Sequence, residues 1–202
     1  LEAMPLFAKK CLSLKANLLD RSKTGIIAEF KRQSPSKGMI NAVADVNEVT
    51  KAYSDFGAAG VSVLTDGPYF GGSLADLSIA IQNPIPVLRK EFIIDEFQLI
   101  EAKAFGASVI LLIASCLTPA ETKQLAGIAK SLGMEVLLEL HDEAELEYIC
   151  QEVDFVGINN RSLKSFEVNI EHSLKLKNLL PKEKLSIAES GIYDLATFQL
   201  LK

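Results

Sequence analysis

Glu29 and Lys31 stand two residues apart in the run Ile26-Ile27-Ala28-Glu29-Phe30-Lys31, just ahead of the polar turn Ser34-Pro35-Ser36-Lys37-Gly38. Side chains two apart on a strand share a face, so an acid and a base are presented side by side. Barrel enzymes place chemistry at the carboxyl ends of strands. A cross-bridged pair on a solvated strand face would have the same spacing, but the arrangement recurs. Further apolar runs end in Thr65-Asp66, Arg89-Lys90, Ser115, Glu139 with His141, Asn159 with Arg161, and Glu189-Ser190. Glu139 follows Val136-Leu137-Leu138, where an unpaired carboxylate would be costly to bury. Lys90 closes Pro86-Val87-Leu88-Arg89 in the same way. A lysine among carboxylates stays protonated and can serve as a general acid. The carboxylates are then available as bases or as stabilisers of a developing cation, and this chemistry requires no histidine.

Other polar residues have plainer readings. Thr65 and Asp66 precede Gly67-Pro68 and read as turn formers. His141 lies next to the helix cap Asp142 and reads as a local hydrogen-bonder, His172 as a helix-surface residue. Glu135 sits at the opposite end of its strand from any chemistry and reads as a stability or solubility residue. Ser190-Gly191 is either a turn or a phosphate contact, since barrels bind phosphate through the loops after their last strands. Phe70-Gly71-Gly72-Ser73 reads as a loop before a Ser-capped helix, its aromatic able to wall a site.

The elements that would position these groups follow from periodicity. Phe56-Gly57-Ala58-Ala59-Gly60-Val61, Phe105-Gly106-Ala107-Ser108-Val109 and Leu132-Gly133-Met134-Glu135-Val136 each repeat a helix end, a glycine and an apolar run. Runs without alternation indicate strands covered on both faces, as in parallel sheets. Strands are predicted at 26–30, 60–64, 86–89, 108–113, 135–140, 154–158 and 185–188. Helices are predicted at 45–56, 73–82, 95–105, 118–132, 142–151, 169–179 and from 194, after an amphipathic or partly irregular lead-in over 5–23. Strict alternation implies an α/β fold with a parallel sheet. The reading is a (β/α)8 TIM barrel with an extra N-terminal helix and without its eighth strand. A doubly wound sheet would call for a G-x-G-x-x-G turn after the first strand, and the sequence has none there.

The 202 residues fit one domain, 1–202. A start at Leu1 and a stop at Lys202, inside a helical pattern, suggest truncation at both ends, with strands 1 and 7 as open edges. A net charge of −5 and the lack of a long basic block argue against nucleic acid as a partner. The most apolar run, 108–117, is far short of the ~20 residues of a membrane helix. Cys11, Cys116 and Cys150, without C-x-x-C spacing, read as reduced cytosolic thiols, Cys116 as core filler. No metal-ligand cluster or nucleotide-binding loop is visible.

Taken together, the motifs resemble the indole-3-glycerol-phosphate synthase family of tryptophan biosynthesis. The resemblance rests on Ile27 to Ser36, Leu64-Thr65-Asp66 with Tyr69 to Ser73, Leu88 to Asp95, Leu137 to His141, Gly157 to Arg161, and Ala188 to Ile192, all in the family's order. It implies ring closure, decarboxylation and dehydration of an anthranilate-derived 1-deoxyribulose 5-phosphate, without a cofactor or metal, in the cytoplasm. The partner it implies is this small phosphorylated substrate, and the enzyme would be a monomer or weak homo-oligomer. Lys90 would protonate the ketone oxygen, and Glu139 would stabilise the cationic ring or take its proton. Glu29 and Lys31 would form a second acid–base pair for dehydration. Asn159 would orient Glu139 or a hydroxyl, and Arg161 would hold Glu189. Ser190 and Gly191 would face the phosphate, Ser34 the carboxylate, and Phe70 and Phe92 the aromatic ring. Two enzymatic alternatives stay open on the residues alone: an aldolase-type barrel with Lys90 as a Schiff-base lysine, and a related phospho-sugar isomerase. A degenerate barrel that only binds a sugar phosphate is the non-enzymatic one.

Overall fold

The computed structural model describes residues 1–162 and 167–201. Its sheet consists of β1 (Ile27–Phe30), β2 (Gly60–Leu64), β3 (Val87–Lys90), β4 (Val109–Ile113), β5 (Glu135–Leu140), β6 (Phe155–Asn159) and β7 (Leu185–Glu189). All pairings are parallel and run in chain order, so β1 and β7 are the edges. A doubly wound sheet reverses its strand order part-way across, so this topology excludes it. The observed fold is a curled seven-stranded α/β sheet.

The two faces of the sheet are covered differently. Leu88, Val109, Leu111, Leu137 and Phe155 pack together on the inside of the curl. Val61, Val63, Ile110, Leu112, Val136, Leu138, Val156 and Ile158 pack with helix residues such as Leu77, Leu99 and Leu125 on the outside. Period two then sets the parity of every strand end. Leu88 faces in, so Lys90 does too, and Arg89 faces out. Leu137 brings Glu139 with it, and Phe155 brings Gly157 and Asn159. The inner face is therefore apolar below and ionisable at its carboxyl rim.

Strand positions agree with the sequence reading to within a residue, and most helices to within two residues at each end. The segment 142–151 does not form an α-helix: residues Glu143–Tyr148 make a 3-10 helix. Asp142 accepts from Ala144 N at 2.9 Å, and the Glu145 carboxylate reaches back to His141 N at 2.5 Å. These local bonds tighten the chain into i to i+3 geometry. The lead-in is mostly irregular, with one helix at Leu14–Leu19. Its N-terminus is held by Glu135, which accepts from Ser13 Oγ at 2.6 Å, Leu14 N at 2.7 Å and Lys15 N at 3.2 Å. Leu14 is buried against Gly60, where a Cβ would lie 2.6 Å from Leu14 Cδ1, so the helix plugs the amino-terminal end of the curl.

Cys116 is a correction. It lies exposed on a 3-10 turn, Ala114–Cys116, because β4 ends at Ile113 and the chain leaves the core there. His172 is half-buried with its Nε2 enclosed, not a surface residue. Lys202, the last residue of the final helical pattern, lies outside the described residues. No helix among the described residues is long and apolar enough to cross a membrane.

Candidate active site

The carboxyl rim of the sheet gathers a network of charge around Lys90. Its Nζ lies 3.0 Å from Glu189 Oε2 and 3.3 Å from Glu29 Oε2. Glu29 is paired in turn with Lys31 through its other oxygen. Lys90 comes from β3, Glu29 from β1 and Glu189 from β7, so one cation joins the middle of the sheet to both of its edges. Glu139 lies close enough to act on Lys90 electrostatically. Asn159 Nδ2 donates to Glu139 Oε1 at 2.8 Å, and the Asn159 Oδ1 accepts from Arg161 N at 3.0 Å, which fixes the amide. Arg89, adjacent to Lys90 in sequence, points the other way and binds Gln98 O, Glu101 and Thr65. It secures β3 to the helix Glu96–Ala104.

The loops close around this cluster. A small antiparallel hairpin pairs Gln33–Ser34 with Gly38–Met39. Arg32 grips Asp76 with both terminal nitrogens, at 2.7 and 2.8 Å, and Gln33 donates to Pro68 O at 2.9 Å, tying the loop after β1 to the loop after β2. Lys37 Nζ sits 5.3 Å from the centroid of the Tyr193 ring, which reaches the segment after β7. Ser34 is buried, and its hydroxyl accepts from Lys37 N at 3.2 Å. Phe70 and Phe92 bring their ring centroids to 6.4 Å and form one aromatic wall. Ser190 holds a φ of 65°, the only positive value among described non-glycine residues, and Gly191 follows at 78°. Val168 and Ile170 crowd Gly191, where a Cβ would lie 2.3 Å from Val168 Cγ1.

The electrostatics separate the carboxylates. Burial disfavours ionised Glu29, but Lys90 and Lys31 outweigh it and hold its pKa below the ordinary range. Burial also opposes the charge on Lys90, yet Glu189, Glu29 and Glu139 raise its pKa well above that of a free lysine. Glu139 is buried, but His141, Lys90 and Asn159 bring it down to about 2. Glu189 goes the other way. Burial and its carboxylate neighbours outweigh Lys90 and push it up to about 7. One carboxylate is thus a fixed anion, and another can exchange a proton near neutrality.

A family model described as indole-3-glycerol phosphate synthase matches residues 2–202. The chain belongs to this family. A curated synthase of Bacteroides thetaiotaomicron is 48% identical over 179 residues, covering 87% of this chain and 68% of its own length. One from Polaromonas naphthalenivorans is 47% identical over 172 residues (84% of this chain, 65% of that protein). One from Leptospira interrogans is 45% identical over 196 residues (94% and 77%). The chain therefore spans about two thirds to three quarters of the length of these relatives. A solved structure described as "Native KDPGal structure" superposes with a TM-score of 0.59 at 16% identity, covering 90% of this chain and 81% of that one. That likeness concerns the fold alone.

In this synthase-family chain, two contributors were not singled out by sequence reasoning. Gly157 leaves room for Glu189: a Cβ there would lie 2.3 Å from Glu189 Oε1. Its signal was a lone glycine inside an apolar strand. Asn160 donates from its backbone to Glu189 O at 2.9 Å and from its amide to Ser190 O at 3.2 Å, while its Oδ1 accepts from Ser173 Oγ at 2.7 Å. It thereby fixes the turn after β7 against the helix Ile170–Lys177. His141, read from the sequence as a local hydrogen-bonder at the same strand end as Glu139, lies between Glu139 and Glu145.

Proposed function

We propose that the chain catalyses the synthase reaction on 1-(2-carboxyphenylamino)-1-deoxyribulose 5-phosphate. The observation that carries this reading is Lys90, a cation held between Glu29 and Glu189 at the carboxyl rim with Glu139 beside it. As the ring carbon bearing the carboxylate attacks the ketone, Lys90 delivers a proton to the ketone oxygen. Loss of CO2 then returns the bonding electrons to the ring. Glu139, ionised throughout, faces the transient positive charge on the ring and nitrogen. The hydroxyl leaves as water with a second proton, and the methylene carbon beside the nitrogen loses a proton to complete the indole. Glu29 with Lys31 supplies the acid for that dehydration, and Glu189 takes up and returns a proton near neutral pH. Asn159, its amide held by the Arg161 backbone N–H, keeps Glu139 oriented. The Arg161 side chain holds Glu189, and Phe70 and Phe92 flank the aromatic ring. Ser34 meets the substrate carboxylate, and Ser190 with Gly191 meets the phosphate.

This reading takes residues 1–202 as one domain of an eight-stranded barrel. The enzyme would be cytoplasmic, a monomer or weak homo-oligomer, and act without a cofactor. An aldolase mechanism needs a neutral lysine as nucleophile, and the carboxylates around Lys90 favour its cation. Following indole fluorescence with the substrate and the purified chain tests the proposal. Turnover is expected, with Lys90→Ala slower by about 10²–10⁴-fold. No turnover by the unsubstituted chain, or an adduct of Lys90 trapped by borohydride, would overturn it.

A further inference from the structure

His141 is enclosed between two carboxylates. Its Nε2 lies 3.1 Å from Glu139 Oε1, and its Nδ1 lies 3.7 Å from Glu145 Oε2. Both ring nitrogens are buried, and neither has an in-line hydrogen-bond partner. A neutral imidazole carries one N–H and one lone pair. Here that lone pair would have to face a carboxylate, which is repulsive, whereas an imidazolium presents a donor to each side. Glu145 is itself fixed, because the same Oε2 accepts from His141 N. The 3-10 path of Glu143–Tyr148 is what brings that carboxylate back over the strand end. The remaining titratable neighbours are Cys116, on the turn after β4, which feels both Glu139 and Glu145, and Lys90, which acts on Glu139 from β3.

We propose that Glu145, His141 and Glu139 form a carboxylate–imidazolium–carboxylate relay in which His141 and Glu145 are positioning residues for Glu139. Asn159 and His141 both approach Glu139 Oε1. Oε2 is thereby left as the acceptor without a protein donor among the described residues, and the relay selects which oxygen meets a ligand. The proposal rests on the synthase reading for its functional part, but the contact itself can be tested without turnover.

The chain has two histidines, so imidazole resonances are assignable by comparison with His172→Gln. The neighbours drive His141 up to about 9 although burial opposes its charge. NMR titration should show one histidine still protonated at pH 8. Glu145→Gln, which keeps the shape and the oxygen that accepts from His141 N, should lower that titration by about one unit or more. In turnover, Glu145→Gln should lower kcat several-fold with KM little changed. It should also move the alkaline limb of the pH profile toward neutrality by the shift seen in NMR. His141→Gln should lose that limb. A histidine that titrates near 6.5 and ignores Glu145→Gln would overturn the relay. An unchanged pH profile in an active Glu145→Gln enzyme would overturn its positioning role. Failure of the unsubstituted chain to turn over would instead strike the synthase reading and leave the titration to decide the contact.

Discussion

Gly157 sets how closely Glu189 can approach the sheet, and so whether Lys90 can reach it. Adding one methyl at this position would force the Glu189 carboxylate to move, because the Cβ would come within 2.3 Å of Oε1. Gly157→Ala is therefore expected to keep the far-ultraviolet circular dichroism of the fold and to lose roughly 100-fold in kcat, the scale of a displacement of about 1 Å in an active site. A kcat close to that of the unsubstituted chain would mean that Glu189 need not sit where the structure has it. At this scale the sequence was informative where an ionisable residue closes an apolar run. Glu29, Lys90, Glu139 and Glu189 announce themselves because burying such groups without partners is costly. Their pairing was less visible. Arg89 and Lys90 look alike in sequence, yet Arg89 belongs to the outer packing and Lys90 to the rim. Only the inside–outside register, fixed by Leu88, separates them.

The helix Leu14–Leu19 depends on a residue more than a hundred positions away. Glu135 receives its first backbone N–H groups, a side-chain anchor at a helix N-terminus where negative charge is favoured. Glu135→Ala should cost about 1–2 kcal/mol in urea unfolding, while KM and kcat change little, since Glu135 lies at the end of β5 remote from Glu139. A large loss of kcat with unchanged stability would contradict this division between the two ends of the sheet. Strands and most helices were legible because Gly57, Gly106 and Gly133 close three of the helices and near-continuous apolar runs follow them. The segment after β5 was not. Glu-Ala-Glu-Leu-Glu-Tyr has a helix-like composition, and its 3-10 form is decided by the reach of Glu145 to His141 N, a bond that propensity does not encode.

The charged rim makes the stability of the whole molecule depend on pH in a specific direction. Glu189 and His141 titrate higher in the folded chain than in the unfolded one, at about 7 and about 9. Where their folded values exceed the unfolded ones, the native state holds more protons, so stability falls as pH rises. The Glu189 contribution is lost between about 4.5 and 7, and that of His141 between about 6.5 and 9. Glu139 is depressed to about 2, so its contribution is present above about 4.5 and is lost as pH falls toward 2. Urea midpoints should therefore be higher near pH 5 than at pH 9, and should drop again below pH 4. A midpoint that climbs from pH 5 to pH 9 would contradict the charge arrangement. The parallel order of the sheet was legible from β/α alternation, and a barrel reading already brings Glu29, Lys31, Lys90, Glu139 and Glu189 to one mouth. That Lys90 contacts the carboxylates of both edge strands, β1 and β7, is what the structure adds. That convergence has a mechanical side. β1 and β7 share no backbone hydrogen bonds, so Lys90 serves as a guy-wire across the gap between them. Its replacement by Met should quicken amide exchange in β1 and β7 while leaving β4 protected, and Lys90→Arg should restore part of that protection even if turnover stays lost. The group that donates the proton would then also be the clasp that keeps the rim drawn in.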